Sequence, residues 1–123
     1  MTKTYGDVDM PKLDELTRLE ERFTEAWRGR ENENCLWWQG EWWSWNRLND
    51  LAIDCENKLK NSGFQKGQRI VVILPNSPMI FALSVAAWRL KGSIAPLNGR
   101  VGMTNIVDTV KLLDPHSMLT TEE

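Results

Sequence analysis

The chain is 123 residues long, 41% apolar and 26% charged, with 15 Lys and Arg against 17 Asp and Glu for a net charge of −2. That composition can bury a core, which argues against global disorder, and neither half concentrates charge into a basic nucleic-acid footprint or an acidic tail. The longest nearly apolar run, Pro78–Trp88, is too short to span a bilayer, the opening residues are too polar for a secretory signal, and two cysteines make no disulfide framework, so the expectation is a cytoplasmic protein with no membrane span and no nucleic-acid partner.

Residues 10–28 have helical periodicity: Leu13, Leu16, Leu19, Phe23, Ala26 and Trp27 recur at steps of three and four. Asp9 can cap this helix, Pro11 suits its first turn, and Gly29 can end it. After a polar loop at Arg30–Asn34 come two β-prone runs, Cys35–Trp38 and Glu41–Trp45, around Gln39-Gly40. This is a two-residue hairpin signal, with Trp37 opposite Trp42 and Leu36 opposite Trp43. Both sides of the hairpin are apolar, so at least one must be covered. A helix from Asn46 to about Ser62 carries the inward stripe Leu48, Leu51, Ala52, Cys55 and Leu59, and Gly63 is its natural stop.

Arg69–Leu74 contains Ile-Val-Val-Ile-Leu without alternation, the pattern of a strand buried on both faces of a parallel sheet. Pro75-Asn76-Ser77-Pro78 breaks it and opens a helix over 78–91, with Ser77 as cap; this helix is apolar nearly all round and reads as central. Ser93–Leu97 is a short strand stopping at Pro96. Met103–Leu113 is an amphipathic helix with Ile106, Val107, Val110 and Leu113 inward, and Ser117–Thr120 is a final strand. The order predicts an α/β fold: a mostly parallel sheet with helices on both faces, preceded by an N-terminal helix and a Trp-rich β-hairpin. Residues 1–34 form the N-terminal helix and loop, and 35–123 the α/β subdomain, within one compact unit.

Reactive groups are few. His116, the single histidine, reads as a surface residue in a loop, and Cys35 and Cys55 as reduced thiols, too few for metal ligation. Neither a Gly-x-x-x-x-Gly-Lys-Ser/Thr loop nor a Gly-x-Gly-x-x-Gly turn occurs. The carboxylates are scattered over helix surfaces. The Trp cluster is either a stacking platform for sugars, peptides or bases, or core; its two apolar sides favour burial between layers.

Five strings in order carry a resemblance. Trp43-Ser44-Trp45-Asn46-Arg47-Leu48-Asn49 resembles the x-T-Y-x-E-L-N opening of the adenylate-forming, AMP-binding synthetase superfamily. Leu59 to Ile70 resembles its L-x-x-x-G-V-x-x-G-D-R-V string. Ile73-Leu74-Pro75-Asn76-Ser77, then Ala86-Ala87-Trp88-Arg89-Leu90-Lys91-Gly92, then Pro96-Leu97-Asn98-Gly99-Arg100 follow at the family's spacing. The departures are Trp45 where Tyr is usual, Gln68 for Asp, and Gly99 where Pro is common.

The resemblance implies an enzyme of several hundred residues that joins a carboxylic acid to AMP from ATP with magnesium, releases pyrophosphate, and passes the acyl group to a thiol, commonly coenzyme A. The family's Thr/Ser/Gly-rich phosphate loop, which would follow residue 123, does not occur in this sequence. The expectation is therefore the N-terminal subdomain of an acyl-CoA synthetase acting on a fatty or aryl acid, inactive alone and partnered by the remainder of the synthetase. Exposed packing surface would favour homo-oligomers. No catalytic and no metal residue is assigned, and no cofactor is held by this chain; ATP, Mg2+ and coenzyme A belong to the parent. Pro96-Leu97-Asn98 resembles the acyl- and aryl-CoA ligase branch, in which the Arg of P-L-N-x-R lies near the coenzyme A phosphates; that makes Arg100 the candidate phosphate contact. The alternative is a stand-alone, non-catalytic binding module that uses the Trp hairpin.

Overall fold

A run of aliphatic residues with no polar interruption must be covered on two sides, and in the computed structural model Ile70, Val71 and Val72 are fully buried. The structure describes Thr4–Tyr5, Val8–Asp9, residues 19–100 and residues 102–120. In chain order its elements are β1 (Thr4–Tyr5), β2 (Val8–Asp9), α1 (Leu19–Trp27), β3 (Asn34–Trp38), β4 (Glu41–Ser44), α2 (Trp45–Asn61), β5 (Arg69–Ile73), α3 (Pro78–Arg89), β6 (Ser93–Pro96), α4 (Met103–Leu113) and β7 (Ser117–Thr120).

The central sheet has the order β6-β5-β7, both pairings parallel, with Val71 opposite Ala95 on one side and Met118 on the other. The connection through α3 steps to one side of β5, and the connection through α4 crosses to the other. With the right-handed sense such crossovers adopt, α3 and α4 fall on opposite faces. The core agrees. Ile70 and Val72 join the cluster built from Leu48, Ala52, Cys55 and Leu59 of α2 and Ala82, Leu83, Val85, Ala86 and Ala87 of α3. Val71, pointing the other way, and the buried Ile106 of α4 lie outside that cluster.

The hairpin has the expected register, Trp37 opposite Trp42 and Leu36 opposite Trp43. Its turn residues Gln39 (φ 48°) and Gly40 (φ 81°) both have positive φ, the type I′ arrangement whose twist matches the strands. A short ladder of β1 with β2, Tyr5 opposite Val8, precedes it. In the sequence, Gly6-Asp7 between two β-prone residues is a hairpin signal.

Four expectations need correction. The Trp cluster is not buried between layers. Trp37 and Trp42 are 56% and 55% exposed, packed edge-to-face at 5.2 Å, and only Cys35 and Trp45 of the hairpin region pack against the main core. Ser77 is extended but makes no side-chain capping bond, so Pro78 and the backbone bond from Ile80 to the Ser77 carbonyl start α3. That helix is central only along Pro78, Ala82, Leu83, Val85, Ala86 and Ala87; its Met79 and Phe81 are exposed. On α4, Val107 is exposed rather than inward, and Ile106 is the buried residue. Of the predicted helix at 10–28, α1 supplies the second half, Asp9 lies in β2, and residues 10–18 fall outside the described residues.

Candidate functional site: the crevice at the strand ends

In parallel sheets, ligands bind beyond the carboxyl ends of the strands, where loops rather than ladder hydrogen bonds occupy the backbone. Here β5 ends at Ile73 and turns through Leu74-Pro75-Asn76 into α3, while β6 ends at Pro96 and continues through Leu97-Asn98-Gly99-Arg100. These two segments and Ile80 of α3 line one cavity of about 660 Å³. The third and fifth resemblance strings, separated by α3 in the chain, thus meet across its mouth.

Local chemistry shapes the rim. The Leu97 amide donates to the Val72 carbonyl at 2.8 Å and extends the β5–β6 ladder one step beyond the strand. The chain then turns: the Arg100 amide donates to Asn98 Oδ1 at 2.9 Å, a side-chain-closed turn that holds Arg100 at the rim. A Cβ on Gly99 would lie 3.2 Å from Ile73 Cγ2, so the backbone there passes close to the strand. The lining offers two amide side chains, Asn76 and Asn98, and one cation, exposed Arg100, over an apolar floor of Ile73, Leu74, Ile80 and Leu97. Such a rim can hold a phosphorylated or otherwise anionic group at Arg100, with apolar matter behind it.

The remaining resemblance residues serve the scaffold. Arg89 Nη2 donates to Asn49 Oδ1 at 2.7 Å, joining the fourth string to the first and pinning α3 to α2. Ser44 caps α2, its Oγ accepting from the Arg47 amide at 3.1 Å. Gly63 and Gly67, at φ 87° and 85°, turn the chain from α2 into β5. Gly92 lies against the Phe64 ring and the Gln68 carbonyl, so any side chain there would collide with backbone.

His116 is not part of the crevice. It stacks edge-on to Phe64 at 5.4 Å, and its Nε2 lies 3.2 Å from the Ser62 carbonyl. Cys35 and Cys55 are free thiols on separate elements. Burial pushes both thiols up from their ordinary range, and the nearby Asp54 carboxylate adds to this at Cys55; raised thiols are poor nucleophiles at neutral pH. Among the described residues no three His, Cys, Asp or Glu side chains converge as metal ligands. Among them, too, no helix is long and apolar enough to cross a membrane.

Comparison with known proteins places this geometry. VinN, solved in complex with L-aspartate, aligns with a TM-score of 0.80 and 21% identity over 85% of this chain and 30% of its own. The N-terminal subdomain of Klebsiella oxytoca NpsA, solved with 3-hydroxyanthranilyl-AMSN, aligns with a TM-score of 0.76 and 14% identity over 83% of this chain and 26% of its own. A Mycobacterium tuberculosis fatty acyl CoA synthetase aligns with a TM-score of 0.63 and 22% identity over 66% of this chain and 16% of its own. The chain therefore spans less than a third of the length of each of these proteins. No curated protein matches it. The model of the AMP-binding enzyme family matches residues 23–123, a span that includes the whole β6-β5-β7 sheet and the crevice at its carboxyl ends, and the chain belongs to that family.

Proposed function

We propose that this chain is the N-terminal part of an ATP-dependent acid–thiol ligase of the acyl-CoA synthetase type, which activates a fatty or aryl acid as its acyl-adenylate and transfers the acyl group to coenzyme A. Family membership supports the adenylate-forming half of this reading. The observation that carries the finer half is the crevice rim, where Pro96-Leu97-Asn98 leads into Arg100, the only cation among the lining residues.

In this reading the chain's own residues position rather than react. The sheet and the Arg89–Asn49 bond hold the crevice in shape. Asn98 fixes the backbone of Arg100, and the guanidinium receives a phosphate of the coenzyme A nucleotide through paired N–H donors. Adenylation itself requires donors arranged around the ATP phosphates and the developing charge, and these come from the remainder of the synthetase, where ATP and magnesium bind. The two free thiols suit a reducing compartment such as the cytoplasm.

The test is ATP–pyrophosphate exchange across fatty, aryl and amino acids, followed by thioester formation with coenzyme A. The purified 123-residue chain should read background with every acid. A longer polypeptide carrying this chain and the phosphate loop should exchange with fatty or aryl acids, and Arg100→Ala should raise its KM for coenzyme A roughly tenfold while leaving exchange unchanged. Exchange with amino acids alone, or transfer only to a carrier-protein thiol, would assign the chain to the peptide-synthetase branch instead.

A further inference from the structure

Asn98 and Arg100 line the same crevice, and one hydrogen bond fixes how the first is turned. The Arg100 amide donates to Asn98 Oδ1 at 2.9 Å. Of the two ends of a side-chain amide only the oxygen accepts from an N–H, so the orientation follows from the bond. The oxygen is engaged by the backbone, and the NH2 is the part of Asn98 left to meet a ligand. That group is a donor only.

The charge at this rim is unspent. Arg47, Arg69 and Arg89 are each engaged, with Glu41, the Leu113 carbonyl and Asn49 in turn. Among the described residues no carboxylate pairs with the Arg100 guanidinium, and none of the residues lining the crevice is acidic. The turn therefore presents a guanidinium fork and an amide NH2, with no anion of its own. The number of donors selects among phosphates. Coenzyme A carries an internal pyrophosphate and a monoester on its ribose. A phosphorus inside the pyrophosphate chain has a pair of unbridged oxygens, whereas the monoester has three and a charge of about −1.5 to −2. A guanidinium fork takes a pair of oxygens side by side. The third oxygen needs a separate donor, which the Asn98 NH2 supplies.

We propose that Asn98 is a specificity-determining residue of this crevice: its NH2 and the Arg100 guanidinium together bind the ribose phosphate monoester of coenzyme A, and its lack of charge leaves the guanidinium free to do so. This rests on the coenzyme A reading above, and adds to it which phosphate is bound and what selects it. Aspartate makes the reason plain. At position 98 it would accept the same bond from the Arg100 amide. It would also put a carboxylate oxygen where the NH2 stands. The guanidinium would then pair with that carboxylate, and an incoming phosphate would meet a like charge.

Titration calorimetry on the synthetase that carries this chain, with coenzyme A and with dephospho-coenzyme A, tests the proposal. The two ligands differ only in the monoester. The wild type should bind coenzyme A roughly tenfold tighter or more. In Asn98→Asp that preference should fall to about threefold or less, through weaker binding of coenzyme A rather than tighter binding of the other ligand. The gap between the variant and the wild type should narrow as salt is added. The crystal structure of the variant should keep the bond from the Arg100 amide to the side chain at 98, which separates lost selectivity from a lost turn. A wild type that binds both ligands equally, or an Asn98→Asp variant that keeps the preference, overturns the proposal and leaves the ligase reading in place. A preference lost together with the turn overturns it too, since Asn98 then acts only on the backbone. A wild type that binds neither ligand and forms no coenzyme A thioester overturns both.

Discussion

Gly92 shows how much one residue carries. Its missing Cβ is what allows the turn between α3 and β6 to lie against Phe64; a Cβ there would meet the Phe64 ring and sit 2.7 Å from the Gln68 carbonyl oxygen. The obstacle is partly backbone, which cannot rotate away. Gly92→Ala should therefore cost about 1–3 kcal/mol, read as a lowered urea midpoint at unchanged m-value. Cys55 makes a pH-dependent contribution. Burial and the neighbouring Asp54 carboxylate raise its thiol above the ordinary range, so the folded chain keeps a proton that the unfolded chain has lost. The stabilisation is full below the ordinary thiol pKa of about 8.5 and falls as pH rises through it. Urea midpoints should decline more steeply across that alkaline window in the wild type than in Cys55→Ala; equal slopes would contradict the assignment.

At the scale of elements, the Trp hairpin is held mainly by its own cross-strand pairing. A two-stranded ribbon is marginal in water, and the edge-to-face Trp37–Trp42 pair supplies stabilisation without a covering layer. Arg47 adds to it from α2, its guanidinium 3.7 Å from the centre of the Trp43 ring and 3.0 Å from Glu41. Trp42→Ala should accordingly cost about 0.5–1.5 kcal/mol, well below the roughly 3–5 kcal/mol expected of a buried aromatic. Chemical denaturation of the variant distinguishes the two, and a loss in the larger range would place Trp42 in the core. The register of this hairpin could be read from Gln39-Gly40 alone, since two residues between β-prone runs leave one favoured turn. Its exposure could not: alternation says which residues share a side, not which side meets another layer.

For the molecule as a whole, one cluster joins α2, α3, Phe64 and the strand β5, so these parts should melt together. Tryptophan fluorescence and far-ultraviolet circular dichroism should report coincident unfolding transitions. Two separated midpoints would divide the hairpin from the sheet.

How much of this could be read from residues alone follows the range of the forces involved. Local signals were sufficient for the elements: the unbroken Ile70–Leu74 run, the glycines after α1 and α2, Pro78 at the start of α3, and Gly40 in the hairpin turn each act within a few residues, and the elements they marked are present. The order of those elements, with right-handed crossovers, also carried the parallel sheet. Exposure and proximity were decided only by packing. Whether Trp37, Phe81 or Val107 meets a neighbour depends on where other layers lie, and Ser77 loses its capping role to the geometry of a proline-led turn. Arg100 could be singled out from its string, but the cavity it borders exists only because β5 and β6 run side by side and end together. Side-chain periodicity is a property of one segment; a site is a property of several, and only the tertiary fold brings them within reach.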